Sequence, residues 1–415
     1  MAYFQSSCLY AITAAVVSVS VLAAPARAIE QLTLNEAVAQ ALARNPELQA
    51  AERAIDAARA REIQANALPN PNLALNIDQV PIPNPGDGSY MVGISQPLLL
   101  AGQREARQEV SRLETQLAEF DRDVLRQDLV SRIKDAYAQV LFEIARETQA
   151  GLDAQGMETL YQAILERYKA GAVARVEALQ AEVERNRANR ELEAAKNRVI
   201  LARGPLNVLL GREATSPLAV QDLPPSQGGT LPKLPALVEE ALKTRVELRR
   251  AESAIQREVL SRRLAQAGLW TGTEASLLAG AVQGQPGFSV SLTVPIPFYR
   301  QQGEIAEAEA NRARTEAERD ALRNAITQQV DQAYREAQIA ATQANSFAKI
   351  YLPQAERLAR NAQERFEAGE GSRLEVIEAR RALREAQTEF QQSLLAYRQA
   401  LHRLERAVGK ELNAG

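Results

Sequence analysis

The chain is written twice, and that duplication limits its fold more than any other feature. Ala41-Leu42, Glu47-Leu48, Ala51-Glu52 and Ala54-Ile55 recur as Ala241-Leu242, Glu247-Leu248, Ala251-Glu252 and Ala254-Ile255, a constant offset of 200. Further on the offset is 198. Arg167-Tyr168-Lys169-Ala170-Gly171 answers Arg365-Phe366-Glu367-Ala368-Gly369, and Gly211-Arg212-Glu213 answers Gly409-Lys410-Glu411. Chance likeness between Ala/Glu-rich helices would not hold its offset through the glycines. One supersecondary unit is therefore built twice. The expected division is an export signal at 1–28, a first unit at 29–221, a Pro/Gly-rich linker at 222–235 (DLPPSQGGTLPKLP) and a second unit at 236–415.

Each unit has the same internal order. It opens on a helical pattern, 34–66 and 234–267. Leu34, Val38, Ala41, Leu42, Leu48, Ala51 and Ile55 keep helical spacing, and Thr33 or Asn35 is placed to cap the start. Pro46 is expected to disturb the first turns. Period-two segments follow, predicted as strands at about 72–79 and 90–97, then 273–282 and 288–295, the last two joined by a turn over Gln283–Gly287. Phe288, Val290, Leu292 and Val294 alternate with Ser289, Ser291 and Thr293; Leu73, Leu75 and Ile77 alternate with Asn72, Asn76 and Asp78. This pattern fits a membrane barrel strand and equally an ordinary half-buried hairpin.

Each unit then enters a long helical run, 103–168 and 303–366. Val110, Leu113, Leu117, Phe120 and Val124 make a coiled-coil stripe. Sixty-odd residues would span about 100 Å at the helical rise. Gly151 and Gly156 are expected to loosen the first run, and Pro353 to kink the second. A Gly ends each run, and a return helix follows at about 175–210 and 373–408.

The N-terminus reads as an address. Leu9 to Ala24 is apolar and is followed by Pro25 and the small-x-small triplet Ala26-Arg27-Ala28, as in a secretory signal cleaved after Ala28. The run is shorter than the roughly 20 residues of a spanning helix, although no Lys or Arg precedes it. The chain's one Cys, Cys8, lies ahead of this run, so no internal disulfide is available. An exported chain of this kind is either soluble in the periplasm or a β-barrel of the outer membrane.

Composition excludes other classes. Only 5% of residues are aromatic against 46% hydrophobic, which favours long helices packed through small side chains. Lys+Arg number 49 and Asp+Glu 52, so no basic excess points to nucleic acid. One Cys and one His are poor material for a metal site. No GxSxG, Walker loop or Cys–His pair is present, so neither an enzyme nor a cofactor is expected.

Four strands cannot close a barrel, since the smallest outer-membrane barrels have about eight. An open sheet in lipid leaves its edges unsatisfied. Three copies would supply twelve strands and a ring of helices. The order helix, hairpin, long helix, Gly turn and return helix, all duplicated, resembles the TolC-type outer-membrane factors, or outer membrane efflux proteins. The likeness covers about 30–411 and rests on LTLNEAVAQALARNPEL (Leu32–Leu48), ISQPLLLAGQR (Ile94–Arg104), VPIPFYRQQGEIAEAEA (Val294–Ala310) and the two Gly turns. PNPNL (Pro69–Leu73) with PIPFYRQQGEI resembles the heavy-metal, CzcC-like branch.

That resemblance implies a mainly α fold with a small membrane β-barrel contribution. It implies a homotrimer, with a twelve-strand β-barrel in outer-membrane lipid of a Gram-negative cell and an α-helical barrel in the periplasm. It implies a passive exit duct of a tripartite efflux system, coupled to an inner-membrane resistance-nodulation-division pump and a periplasmic adaptor (membrane fusion protein), exporting metal cations. A duct for drugs or other small molecules is the alternative. A coiled-coil adaptor fits less well, because adaptors carry one hairpin between compact β domains.

The resemblance also makes the Gly171 and Gly369 turns the periplasmic tips. Glu177 and Glu375 stand six positions on, with Arg175 and Arg373 two before them. Physically, a carboxylate ring at a threefold constriction would favour cations. Equally, the two Glu residues are at helix starts, where capping or adaptor contact needs no gate, and the nearby Arg side chains could neutralise them. Pro97 and Pro295 are expected to end strands at the barrel-to-helix junction. Tyr90, Trp270, Phe288, Phe298 and Tyr299 flank the strands as an aromatic girdle would. His402 reads as a surface or packing residue, and Met91 as an isolated thioether.

Overall fold

The computed structural model describes residues 31–412 except 79–81, 83–84, 86–87, 223–230 and 297–299. The export signal expected at 1–28, most of the linker, Phe298 and Tyr299 therefore lie outside the described residues. Strand β1 (Gln31–Leu32) leads into α1 (Leu34–Arg44) and α2 (Pro46–Asn66), the hairpin β2 (Asn72–Asp78) and β3 (Ser89–Pro97), the long helix α3 (Gln103–Lys169) and the return helix α4 (Arg175–Leu209). After β4 (Ala219–Val220) the order repeats. It runs through α5 (Leu234–Thr244), α6 (Val246–Ala267), β5 (Glu274–Val282), β6 (Gln285–Thr293), α7 (Arg300–Ser346), α8 (Leu352–Glu367) and α9 (Arg373–Val408).

Thr33 caps α1 in a capping box: its Oγ1 accepts from the Glu36 amide at 3.2 Å while its own amide donates to Glu36 Oε2 at 2.8 Å. The single opening helix expected from the sequence is in fact two. Asn45 is extended, and its Oδ1 accepts from the amides of Glu47 and Leu48 at 2.9 and 3.3 Å. Its Nδ2 donates to the Leu209 carbonyl at 3.0 Å. Pro46 takes the first helical position, where no donor is needed. Yet the second unit breaks at the same place with no proline. There buried Arg245 donates to the carbonyls of Arg406 and Ala407, both at 3.1 Å. In each unit the break lets one buried side chain reach the last carbonyls of the return helix.

Helix α3 runs unbroken through 67 residues, so Gly151 and Gly156 do not loosen it. Gly156 serves packing instead: a Cβ there would lie 2.1 Å from Nη1 of Arg380 on α9. Of the expected stripe only Phe120 is buried. Helix α3 is packed by both α2 and α6, and its buried line there is Ala106, Ser111, Thr115 and Phe120. In the second unit, a π-helical turn (Phe347–Tyr351) separates α7 from α8. Pro353 has no amide to offer the Lys349 carbonyl, and the wider turn absorbs that loss.

Two apolar cores sit at matching levels, one per unit: Leu129, Ile133 and Leu206 in the first, Ile326, Val330 and Leu404 in the second. Ala333, Ala337, Ala340 and Ala344 form a small-residue seam on α7. A third core, with Ile164, Ala181, Phe366 and Val376, joins the two helical hairpins near their tips. Two features had no signal in the sequence. Strands β1 and β4 pair in parallel, and the Tyr137 hydroxyl, which has a single proton to give, lies 2.8 Å from the Leu32 carbonyl and 2.6 Å from that of Gln221. A largely buried arginine also joins the units: Arg406 on α9 reaches Asp128 on α3 at 2.5 Å, and within its own unit it reaches Glu247 on α6 at 2.6 Å.

Candidate functional site

The four strands form one antiparallel sheet in the order β2-β3-β5-β6. The alternation seen in sequence is translated by the register into two unlike faces. Leu73, Leu75 and Ile77 stand opposite Ile94, Val92 and Tyr90. Those in turn face Leu277, Ala279 and Ala281, and β6 adds Val290, Phe288 and Leu292. This face is open: Leu73 is 82% exposed, Phe288 77% and Val290 71%. The opposite face carries Asn72, Asn76, Ser95, Ser276 and Ser291, with Met91 and Leu278 buried on it. Gly93 and Gly280 line that inner face at the β3–β5 seam, where a Cβ on either would lie 1.9 Å from a backbone oxygen of the other strand. Only glycine allows so close a crossing. Within the chain, β2 and β6 are each paired on one side only.

The second hairpin turns more tightly than expected. Gln283 and Gly284 alone make the turn, with φ of 51° and 72°, and Val282 pairs directly with Gln285. Pro286 therefore belongs to an edge strand, where a missing donor is tolerated. The same register ends β6 at Thr293, opposite the first residue of β5, Glu274. Pro97 is the last residue of β3, as expected, but Pro295 lies two residues beyond its strand because β5 offers no further partner. Tyr90 and Phe288 stand near the turn end of the sheet and Trp270 beyond the other.

At the far end, Gly171 and Gly369 take φ of 73° and 81°. Nothing would meet a Cβ within 4 Å at either, so backbone conformation alone calls for glycine. The tips differ in chemistry. Helix α9 is capped: Ser372 Oγ accepts from the Glu375 amide at 3.2 Å. Helix α4 begins at Ala174 without a side-chain cap. Glu375 pairs with Arg365 at 3.3 Å, not with Arg373. Arg373 instead crosses to the first hairpin, donating to the Glu177 carbonyl at 3.0 Å and to Gln180 Oε1. Among the described residues, the Glu177 carboxylate and the Arg175 guanidinium form no ion pair. Arg365, Ser372 and Gln180 were missed in the sequence. Only Arg365 left a signal there, as the repeat partner of Arg167, which stacks over Phe366 at 4.6 Å.

Farther along the hairpins from the tips, Asp153 on α3 takes Arg384 of α9 at 3.3 Å. Burial pushes the Asp153 carboxyl up, against the pull of Arg384 and Arg380, and burial lowers the Arg380 guanidinium. Burial also pushes Glu247 up. Hydrogen bonds from Arg406 and from its own amide, with the charges of Arg406 and Arg245, outweigh that and hold it below the usual range.

His402 is buried and bonded to Asp135 at 2.9 Å. Among the described residues, no group of His, Cys, Asp and Glu is placed to hold a metal ion. No described helix is long and apolar enough to cross a membrane.

The family model for outer membrane efflux proteins matches residues 37–212 and again 237–410. The cobalt-zinc-cadmium resistance protein CzcC of Cupriavidus metallidurans is 26% identical over 396 residues, 93% of this chain and 92% of its own length. CusC, whose crystal structures concern transmembrane channel formation, superposes with a TM-score of 0.73 at 19% identity, covering 91% of this chain and 92% of that one. VceC of Vibrio cholerae superposes with 0.72 at 18% identity, covering 91% and 96%.

Proposed function

Because the chain belongs to the outer membrane efflux protein family, whose members are passive channels and not enzymes, we propose that it is the exit duct of a tripartite efflux system for metal cations. The one-sided sheet carries this reading. An exposed apolar face of some dozen side chains has no place in water, and in lipid it is an ordinary barrel exterior. In hydrocarbon the free edges of β2 and β6 would each leave several unsatisfied backbone groups. Three copies joined edge to edge give twelve strands and leave no edge.

In this reading residues 1–28 direct export, and 29–221 and 236–415 are the two halves of each protomer. The long hairpins reach into the periplasm toward an adaptor and an inner-membrane pump, which supplies the energy. Gly171 and Gly369 form the tips, Arg175, Glu177, Arg373 and Glu375 act as adaptor contacts or gate, and Pro97 with Pro295 marks the passage from barrel to helix. Metal cargo is supported by the likeness to CzcC along nearly the whole chain. No metal-holding cluster is needed in a passive duct.

The test is assembly and conductance. The mature chain should require detergent, cross-link as a trimer and conduct in planar bilayers. Purification as a soluble monomer would overturn the duct. Cells lacking their own duct, supplied with this chain and its neighbouring pump and adaptor genes, should gain tolerance to cobalt, zinc or cadmium. Tolerance to drugs without tolerance to metals would replace the cargo.

A further inference from the structure

We propose that Arg406 seals the wall of the duct where α9 meets α6, keeping a hollow on one face of the wall apart from a hollow on the other. The proposal rests on the exit-duct reading and assigns a barrier role to a residue outside both sheet and tips.

The joint is made of helix ends. Helix α9 stops at Val408 and α6 starts at Val246. They meet through Arg245, which donates to the Arg406 and Ala407 carbonyls, and through Thr244, whose hydroxyl donates to the Val408 carbonyl at 2.7 Å. Helix α3 packs along both pieces on one side and α7 on the other. The seam between α3 and this stack therefore lies inside a single chain. Helix α2 leads into β2 and α7 leaves β6, so copies joined through those two strands meet at α2 and α7 and leave the seam as it stands.

Two hollows flank the joint. One, of about 330 Å3, takes Gln127, Val130 and Lys134 from α3 and His402, Glu405 and Gly409 from the end of α9. The other, of about 380 Å3, takes Asp128 from α3, Arg403 and Ala407 from α9, and Gln329 and Gln332 from α7. Ser131 and Arg406 line both. At about 100° per residue, His402, Glu405 and Gly409 fall to one side of Arg406, and Arg403 and Ala407 to the other. On α3, Gln127, Val130 and Lys134 fall to one side of Ser131, and Asp128 to the other. Both helices thus put the hollows on opposite faces of the seam, with Ser131 and Arg406 between them.

Arg406 spans the division. Its guanidinium donates to Gln127 Oε1 at 3.4 Å on the side of the first hollow, and to Asp128 at 2.5 Å on the side of the second. It also donates to Glu247 on α6 at 2.6 Å. The side chain is 17% exposed. One planar fork held from three directions closes a gap that two abutting helix ends cannot close themselves. The matching joint of the first unit does without it. The repeat offset of 198 puts Val208 at this position, and Asn45 makes the carbonyl contact there. The arginine therefore answers to more than the joining of two helices. A fixed guanidinium between the hollows opposes the passage of cations. Cations are the cargo in the exit-duct reading, so the seal keeps what has entered the tube from returning through its wall.

The test is the leak of the shut duct in planar bilayers, using the full mature chain. Arg406→Ala should raise the shut-state current severalfold, and Arg406→Ala with Ser131→Phe should bring it down again. Arg403→Ala, which alters one hollow only, should leave it unchanged. Arg406→Lys keeps the charge but not the fork and should leak less than Arg406→Ala; it carries the test if the alanine variant does not assemble. Thiol labelling reads the seal in the otherwise unaltered chain, since Cys8 lies in the expected export signal. A cationic methanethiosulfonate reagent should label Ser131→Cys severalfold more slowly than Arg403→Cys, and adding Arg406→Ala should remove the difference. Equal labelling of the two thiols with Arg406 in place overturns the proposal. So does a shut-state current unmoved in Arg406→Ala, or raised as much in Arg403→Ala. A conducting wild-type trimer whose Arg406→Ala variant does not leak defeats the seal alone, whereas a wild-type preparation that never conducts defeats the duct.

Discussion

The two helical hairpins share one design and solve its local problems with different residues. The first runs through an unbroken α3, turns at Gly171 and restarts without a side-chain cap. The second passes a π turn at Phe347–Tyr351, turns at Gly369 and restarts on the Ser372 cap. At the far ends of the return helices Asn45 and Arg245 occupy equivalent breaks and reach equivalent carbonyls, one with an amide and one with a guanidinium. Duplication preserved the backbone path, whereas the side chains that enforce it have diverged. Swapping equivalent residues therefore measures what each copy depends on.

The largest difference is expected at the breaks held by Asn45 and Arg245. Arg245→Ala removes a buried cation from its carbonyls and from Glu247 and should cost about 3 kcal/mol. Asn45→Ala loses a cap and should cost about 1–2 kcal/mol. Thermal or denaturant unfolding in detergent checks the order, and equal costs would break the comparison. Next come the glycines ending the return helices. Gly211 and Gly409 both have positive φ, at 69° and 79°. A Cβ at Gly211 would lie 2.6 Å from the Arg44 backbone oxygen, whereas at Gly409 the nearest atom is Thr244 Oγ1 at 3.3 Å. Gly211→Ala should cost about 2–3 kcal/mol and Gly409→Ala about 1 kcal/mol.

The tips should respond less. Ser372→Ala should lose about 1 kcal/mol of local stability and Ala174→Ser should gain about 0.5 kcal/mol, read by hydrogen exchange in α9 and α4. Acid separates by sign a contact between the units, at Asp153, from one within the second unit, at Glu247. The raised carboxyl of Asp153 imposes a cost that is full above its folded pKa and is relieved as pH falls through that value toward the unfolded one. The lowered Glu247 contributes stability above its unfolded pKa and loses it as pH falls through the folded one. Stability profiles between about pH 3 and 7 should therefore lose their acid gain in Asp153→Asn and part of their acid loss in Glu247→Gln. The smallest effect concerns conduction. Glu375 is already paired with Arg365, so Glu177→Gln should shift cation preference in planar bilayers more than Glu375→Gln. If both variants leave preference and open probability unchanged, the tip carboxylates only cap or contact.

Much of the fold was legible because it is governed by local chemistry. Period two at Leu73–Ile77 and Phe288–Leu292, the capping pair Thr33–Glu36 and the terminal glycines declare their roles within a few residues. Illegible features were those set across long separations. Nothing near Arg245 signals a break, since its reason lies at Arg406 and Ala407. Gly156 looked like a weak point because the guanidinium it admits belongs to the other unit. At the tips the positions of Gly171, Glu177, Gly369 and Glu375 could be read, but not that Arg373 would leave its neighbour Glu375 for the opposite hairpin.

The short β1–β4 ladder has a consequence for connectivity. By joining residues 31–32 to 219–220, it brings the beginning and end of the first half to the same place, so that half is nearly a closed ring. Chain order around a ring is a matter of where it is cut. The first half should therefore withstand being reopened at the exposed Gly171 turn and rejoined across β1 and β4, and whatever lies between 222 and 235 can lengthen without pulling on either half.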